Sequence, residues 1–168
     1  MYSKLKPIFN IFTHKYNLVN KIILPVFLLI TIYACVRINQ FEKNIQIPKS
    51  QWAYKFEPEV KFTIKDTTAL YNVFVTIRHT DAYAYRNLWI DIATRQAGDS
   101  SFQTGRFELT LQQNDGKWLG TGYGDTWEVR HPLFQQIRFK KQGEYTIRLR
   151  QIMRDDPLMH IINAGIRI

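Results

Sequence analysis

From Trp52 onward the chain alternates apolar and polar residues with a period of two, the mark of strands that bury one face. Val60, Phe62 and Ile64 interleave with Lys61, Thr63 and Lys65, and Tyr71, Val73, Val75 and Ile77 with Asn72, Phe74, Thr76 and Arg78. The pattern returns at Leu88, Ile90 and Ile92, at Phe107, Leu109 and Leu111, and at Tyr145, Ile147 and Leu149. A last run, Ile162 to Ile168, is interrupted by Gly165. Turn chemistry separates these runs at Asp66-Thr67-Thr68, at 97–101, at Asn114-Asp115-Gly116 and at Gln142-Gly143. Asn-Asp-Gly just before Lys117-Trp118 predicts a tight hairpin. No apolar face recurs at helical spacing after residue 50, so short helical turns are expected at most in 128–136 and near Asp155-Asp156-Pro157. Closely spaced strands with one apolar face each predict an all-β fold: an antiparallel β-sandwich, immunoglobulin-like or jelly-roll-like, over residues 51–168. A barrel satisfies the same periodicity.

The amino-terminal part follows another rule. A leader with four lysines and no acids precedes the apolar run 22–36, which ends on Ile32-Tyr33-Ala34-Cys35. A basic leader, an apolar segment and a small residue at the cut site make a secretory signal. A cysteine directly after that small residue makes it a bacterial lipoprotein signal, with residues 1–34 removed and Cys35 carrying a diacylglyceryl group. A transmembrane helix is the competing reading, but it needs roughly 20 apolar residues, and this run is shorter and carries Pro25. Residues 35–50, polar and mixed, read as the lipidated cysteine and its tether. The membrane would then be a partner through lipid alone.

Composition adjusts this picture in two places. The formal charge of +9 includes the leader; residues 36–168 hold 19 Lys and Arg against 14 Asp and Glu. The body is therefore only +5, too little to argue for nucleic acid when no basic run or binding motif accompanies it. Cys35 is the only cysteine, so no disulfide can form within the chain and core burial must hold the domain.

Candidate chemistry is sparse. His14, His79, His131 and His160 are scattered, no serine sits in a nucleophile elbow, and no ligand spacing fits zinc or calcium. The sequence therefore predicts no enzyme, metal site, cofactor or small-molecule substrate. Trp52, Trp89, Trp118 and Trp127, with Tyr83, Tyr85 and Tyr123, can stack on sugar rings, although aromatic residues in strands more commonly pack. Gly120, Gly122 and Gly124 alternate in an all-strand context. They read as a bend or a close approach of another backbone, with a docking partner as the functional alternative. Arg148 and Arg150 share one strand face as a basic stripe that Arg78 and Arg138 would extend if their strands were neighbours. Such a stripe is either a solvated face or a binding surface.

Several local signatures occur in order. The first is Asp66, Tyr71-Asn72, Ile77-Arg78 and Tyr83-Ala84-Tyr85-Arg86-Asn87-Leu88-Trp89. The second is the continuous run from Gly116-Lys117-Trp118-Leu119-Gly120 to Asp125. Phe139, Gly143 and Tyr145 follow, then Gln151-Ile152-Met153-Arg154-Asp155-Asp156-Pro157-Leu158, Ile161 and Gly165. Together they resemble the gliding-motility lipoprotein GldH family of the Bacteroidetes, over about residues 50–168. The resemblance implies a non-catalytic envelope lipoprotein that binds other motility or secretion components, at the outer membrane facing the periplasm. It carries no catalytic residue. The expected contact residues are Tyr83, Tyr85, Trp89, Trp118, Arg148 and Arg150. A carbohydrate-binding module gripping cell-wall or surface glycan is the alternative.

Overall fold

Period-two burial produces what it predicts, two antiparallel sheets. The structure, a computed structural model, describes residues 40–96 and 98–168; the apolar segment 22–36 and Cys35 lie outside the described residues. In chain order the strands are β1 (Glu42–Gln46), β2 (Gln51–Trp52), β3 (Glu59–Ile64), β4 (Tyr71–Thr80), β5 (Asn87–Arg95) and β6 (Gln103–Thr110). They continue with β7 (Thr121–Tyr123), β8 (Thr126–Ile137), β9 (Gly143–Gln151), β10 (Leu158–Met159) and β11 (Ile161–Arg167). The larger sheet runs β1-β11-β4-β8-β7 and the smaller β3-β9-β5-β6, while β10 and β2 form a short pair of their own. Every pairing is antiparallel. The two sheets are not hydrogen-bonded into a closed barrel.

Alternation places the core between the sheets. Val73, Val75 and Ile77 of β4 with Ala164 and Ile166 of β11 are buried in one sheet; Val60, Phe62, Leu88, Ile90, Ile147 and Leu149 are buried in the other. Each such aliphatic or aromatic side chain contributes about 1.5–3 kcal/mol relative to exposure. The arrangement is sandwich-like. The Asn-Asp-Gly hairpin forms as expected: Gln112 bridges Trp118, and Gly116 N–H donates to Gln113 O at 3.1 Å.

Three local expectations are corrected. Residues 128–136 hold no helical turn; they lie within β8, which β4 recruits as its neighbour. Only Val129 of β8 is buried, so that strand shows no apolar face to read from sequence. Asp155-Asp156-Pro157 forms bends, and the sole helical turn among the described residues is the 3-10 turn Pro48–Ser50. The stretch read as tether is ordered from Glu42, where β1 adds an exposed edge to β11.

Strand registers define two ends. At the amino-terminal end Phe41 and Ile168 exchange backbone hydrogen bonds of 3.1 and 2.8 Å. Tyr71 faces Ile137 and Ile64 faces Gly143 at that same end, and Phe41 touches Phe62 at a ring separation of 6.0 Å. At the opposite, far end Thr80 faces Thr126 and Ile90 faces Gln151.

Candidate functional site

The far end gathers the sequence signatures into one place. The penultimate residue of β4 is His79, fully buried, whose ring lies 4.6 Å from that of Trp118 and 5.6 Å from that of Tyr83. Its Nδ1 lies 2.8 Å from the Thr80 carbonyl, so this nitrogen carries the proton; Nε2 is buried without a partner. Burial holds the imidazole below its ordinary pKa, and the bond to Thr80 offsets this in part. Tyr83 is also buried and donates to the Asn87 carbonyl at 2.9 Å; burial pushes its hydroxyl well above the usual phenol range.

Over this aromatic floor sits a polar rim. Tyr85, edge-on to Tyr83 at 5.8 Å, donates to Asp155 Oδ2 at 2.6 Å, and the Arg154 guanidinium lies 5.5 Å above the Tyr85 ring. Arg86 reaches across to the hairpin, donating to Gln113 O at 2.8 Å and Asn114 Oδ1 at 2.7 Å. Gln151 ties the rim to the core. Fully buried, it donates to the carbonyls of Trp52 and Asp155 at 3.1 and 3.0 Å and accepts from Met153 N–H at 2.9 Å. Met153 Sδ in turn lies 3.2 Å from Trp89 N. The Gln-Ile-Met-Arg-Asp run is thus a clamp that closes this end.

The glycine run has a structural explanation. Gly120 adopts φ +84° against β8, where an added Cβ would stand 2.0 Å from the Glu128 carbonyl oxygen, and the Trp127 ring covers Gly122. Trp118 turns to His79 instead of covering the run.

The expected contact residues divide. Tyr85, Trp89 and Trp118 keep exposed surface at the far end, Trp89 at 37%. Tyr83 is corrected to a core residue, because the turn after β4 directs its ring inward onto His79. Arg148 and Arg150 stand elsewhere, on the outer face of the smaller sheet, and they are not a bare stripe. Arg148 pairs with Glu59 at 2.8 Å and Glu57 at 3.6 Å, and Arg150 with Asp91 at 2.7 Å. Asp91, which also accepts from Arg106 at 3.1 Å, is held below the usual carboxylate range by the Arg150 hydrogen bond. Arg78 belongs to the larger sheet and pairs with Glu128, so it extends nothing. The neutralising carboxylates come from other strands and segments, which no local reading of β9 reveals. Sequence reasoning also missed Gln151 and Asp155 as structural ties; their only signal was membership in the ordered signatures.

Of the aromatic residues considered for sugar, Trp52 is buried and Tyr123 is 91% exposed, beside an open groove lined by Arg78, Thr121, Thr126, Glu128 and Arg130. Among the described residues no three His, Cys, Asp or Glu side chains are placed to hold a metal ion.

Comparison with known proteins adds to this geometry. The family model described as GldH lipoprotein matches residues 39–168. The chain is 24% identical over 147 residues to the gliding motility lipoprotein GldH of Flavobacterium johnsoniae, covering 83% of this chain and 89% of that protein. It is 28% identical over 110 residues to the gliding motility lipoprotein GldH homolog of Christiangramia forsetii, covering 61% and 67% respectively. No solved structure is significantly similar.

Proposed function

Because the chain belongs to the GldH lipoprotein family, we propose that it is a non-catalytic, lipid-anchored scaffold of the gliding-motility machinery, binding other motility or secretion lipoproteins. The carrying observation is the family match, which takes in the whole described domain. Cys35 holds the lipid, and the domain faces the periplasm from the outer membrane. Confinement to a surface raises the effective concentration of any co-anchored partner, so a modest interface suffices. The order of the eight longer strands, with β1-β11-β4-β8 facing β3-β9-β5-β6, favours the jelly-roll form of sandwich over the immunoglobulin-like one. Fold alone carries no function.

The interface is the far end, where half-buried Tyr85 and Trp118 lie beside the charged rim of Arg86, Arg154 and Asp155. An aromatic centre with a polar border suits a protein contact. Crosslinking in native envelopes tests it. Tyr85→Ala with Trp118→Ala should reduce capture of co-anchored lipoproteins by about tenfold or more, with circular dichroism unchanged. Trp89→Ala, on the exposed flank, gives a second variant that leaves the floor intact. Full capture by both variants would remove this surface from consideration.

The glycan reading draws support from the Tyr123 groove alone. Binding of peptidoglycan or surface polysaccharide that disappears in Tyr123→Ala would favour it.

A further inference from the structure

The amino-terminal end of the sandwich has its own chemistry, distinct from the far end. Six chain steps separate Cys35 from Phe41, and an extended chain spans at most about 3.6 Å per residue, so a lipid at Cys35 lies within roughly 20 Å of Phe41. Phe41 is itself fixed beside Ile168 by paired backbone hydrogen bonds. The turn residues 65–70, 98–102 and 138–142 lie at this end and are tied together: Arg138 donates to the Thr68 carbonyl at 3.1 Å, and Lys141 pairs with Asp99 at 3.2 Å.

The surface they make is basic and carries apolar tips. Lys65, Arg138 and Lys140 are exposed and have no ion pair among the described residues. Asp66 accepts hydrogen bonds from its own turn, from Thr68 N at 2.7 Å and Thr68 Oγ1 at 2.6 Å. Leu70, in the same turn as Lys65, is 54% exposed, and Phe134, facing Val73 four residues before Arg138, is 40% exposed. The far end has the opposite balance: segments 81–86, 111–125 and 152–157 hold five carboxylates against three cations. The domain is therefore polarised along its length.

We infer that the amino-terminal end is a docking surface for anionic lipid headgroups: Lys65, Arg138 and Lys140 sit on the bilayer surface, Leu70 enters it, and the far end projects away. The inference rests on the lipid anchor proposed above and adds an orientation to it. Attraction of cations to an anionic leaflet acts within about a Debye length, roughly 8–10 Å, and the short tether keeps these side chains in that range. The negative far end is repelled by the same surface, so both ends favour one orientation.

The test uses the full chain in vesicles of phosphatidylethanolamine and phosphatidylglycerol carrying brominated acyl chains. A fluorescent thiol label is placed at Leu70→Cys, at Phe134→Cys as a second site, or at Met159→Cys on the far end. Labels at 70 and 134 should be quenched several-fold more strongly than the label at 159. Lys65→Glu with Lys140→Glu should cut the ratio of docked to undocked protein by about tenfold or more. Equal quenching at both ends, or insensitivity to the charge reversals, would overturn the docking surface. The anchor is read separately: thiol labelling of the unvaried chain would show an unmodified Cys35. An uncleaved segment 22–36 would still hold the same end near the membrane, so the quenching result stands by itself.

Discussion

Gln151 shows how much one side chain can carry at an irregular end of a sandwich. Its amide satisfies the carbonyls of Trp52 and Asp155 and the N–H of Met153, tying the short strand β2 to the irregular chain after β9. Gln151→Ala would leave these buried groups without partners, at a cost of about 2–3 kcal/mol, measurable as a lower denaturant midpoint. His79 is the opposite case, a buried ring with an idle nitrogen. Its folded pKa is depressed by burial, whereas the unfolded imidazole binds a proton near pH 6.5. Below about pH 6.5 the unfolded state therefore holds more protons, and stability falls as pH falls toward the folded pKa. His79→Phe keeps an aromatic ring against Trp118 and removes this dependence. Urea midpoints between about pH 7.5 and 5.5 should vary less in that variant than in the parent.

Among the elements, β8 is exposed to the greatest hazard. β7 covers only Thr126 to Glu128, leaving the stretch from Val129 onward as the outer edge of the larger sheet. An uncovered edge invites pairing with another chain. Pro132, which has no N–H to offer, lies in this stretch. The register also shifts on either side of Val73, and Gln136 adopts φ 52°, so the edge is not flat. Pro132→Val should restore a donor and promote association. Size-exclusion chromatography across a concentration series should show dimers or larger species absent from the parent.

At the scale of the whole molecule, the registers separate two surfaces. The chain emerges at a basic end, and the aromatic rim with its acidic surroundings lies at the other. A lipid-held scaffold needs this division, because a partner site pressed against headgroups would be occluded. The two proposals therefore support each other geometrically while resting on different residues, Leu70 and Lys65 for one and Tyr85 and Trp118 for the other.

Sequence by itself determined the class of fold and the core strands β3, β4, β5, β9 and β11. In these strands one face is buried against the opposite sheet, and burial writes its alternation into the residues. It also supplied the hairpin at Asn114-Asp115-Gly116 and the family resemblance, which the match over residues 39–168 places on firm ground. β1 and β8 escaped notice because they are edge strands with almost no buried face, held mainly by backbone hydrogen bonds to β11 and β4 that any residue can make. The arginine stripe lost its free charge for a related reason: Glu59 and Asp91 meet Arg148 and Arg150 only through the registers of β3 and β5 on β9. Tyr83 turned inward because irregular chain after a strand has no period to follow. Local pattern decides which residues leave water, and only the tertiary structure decides which of the rest find one another.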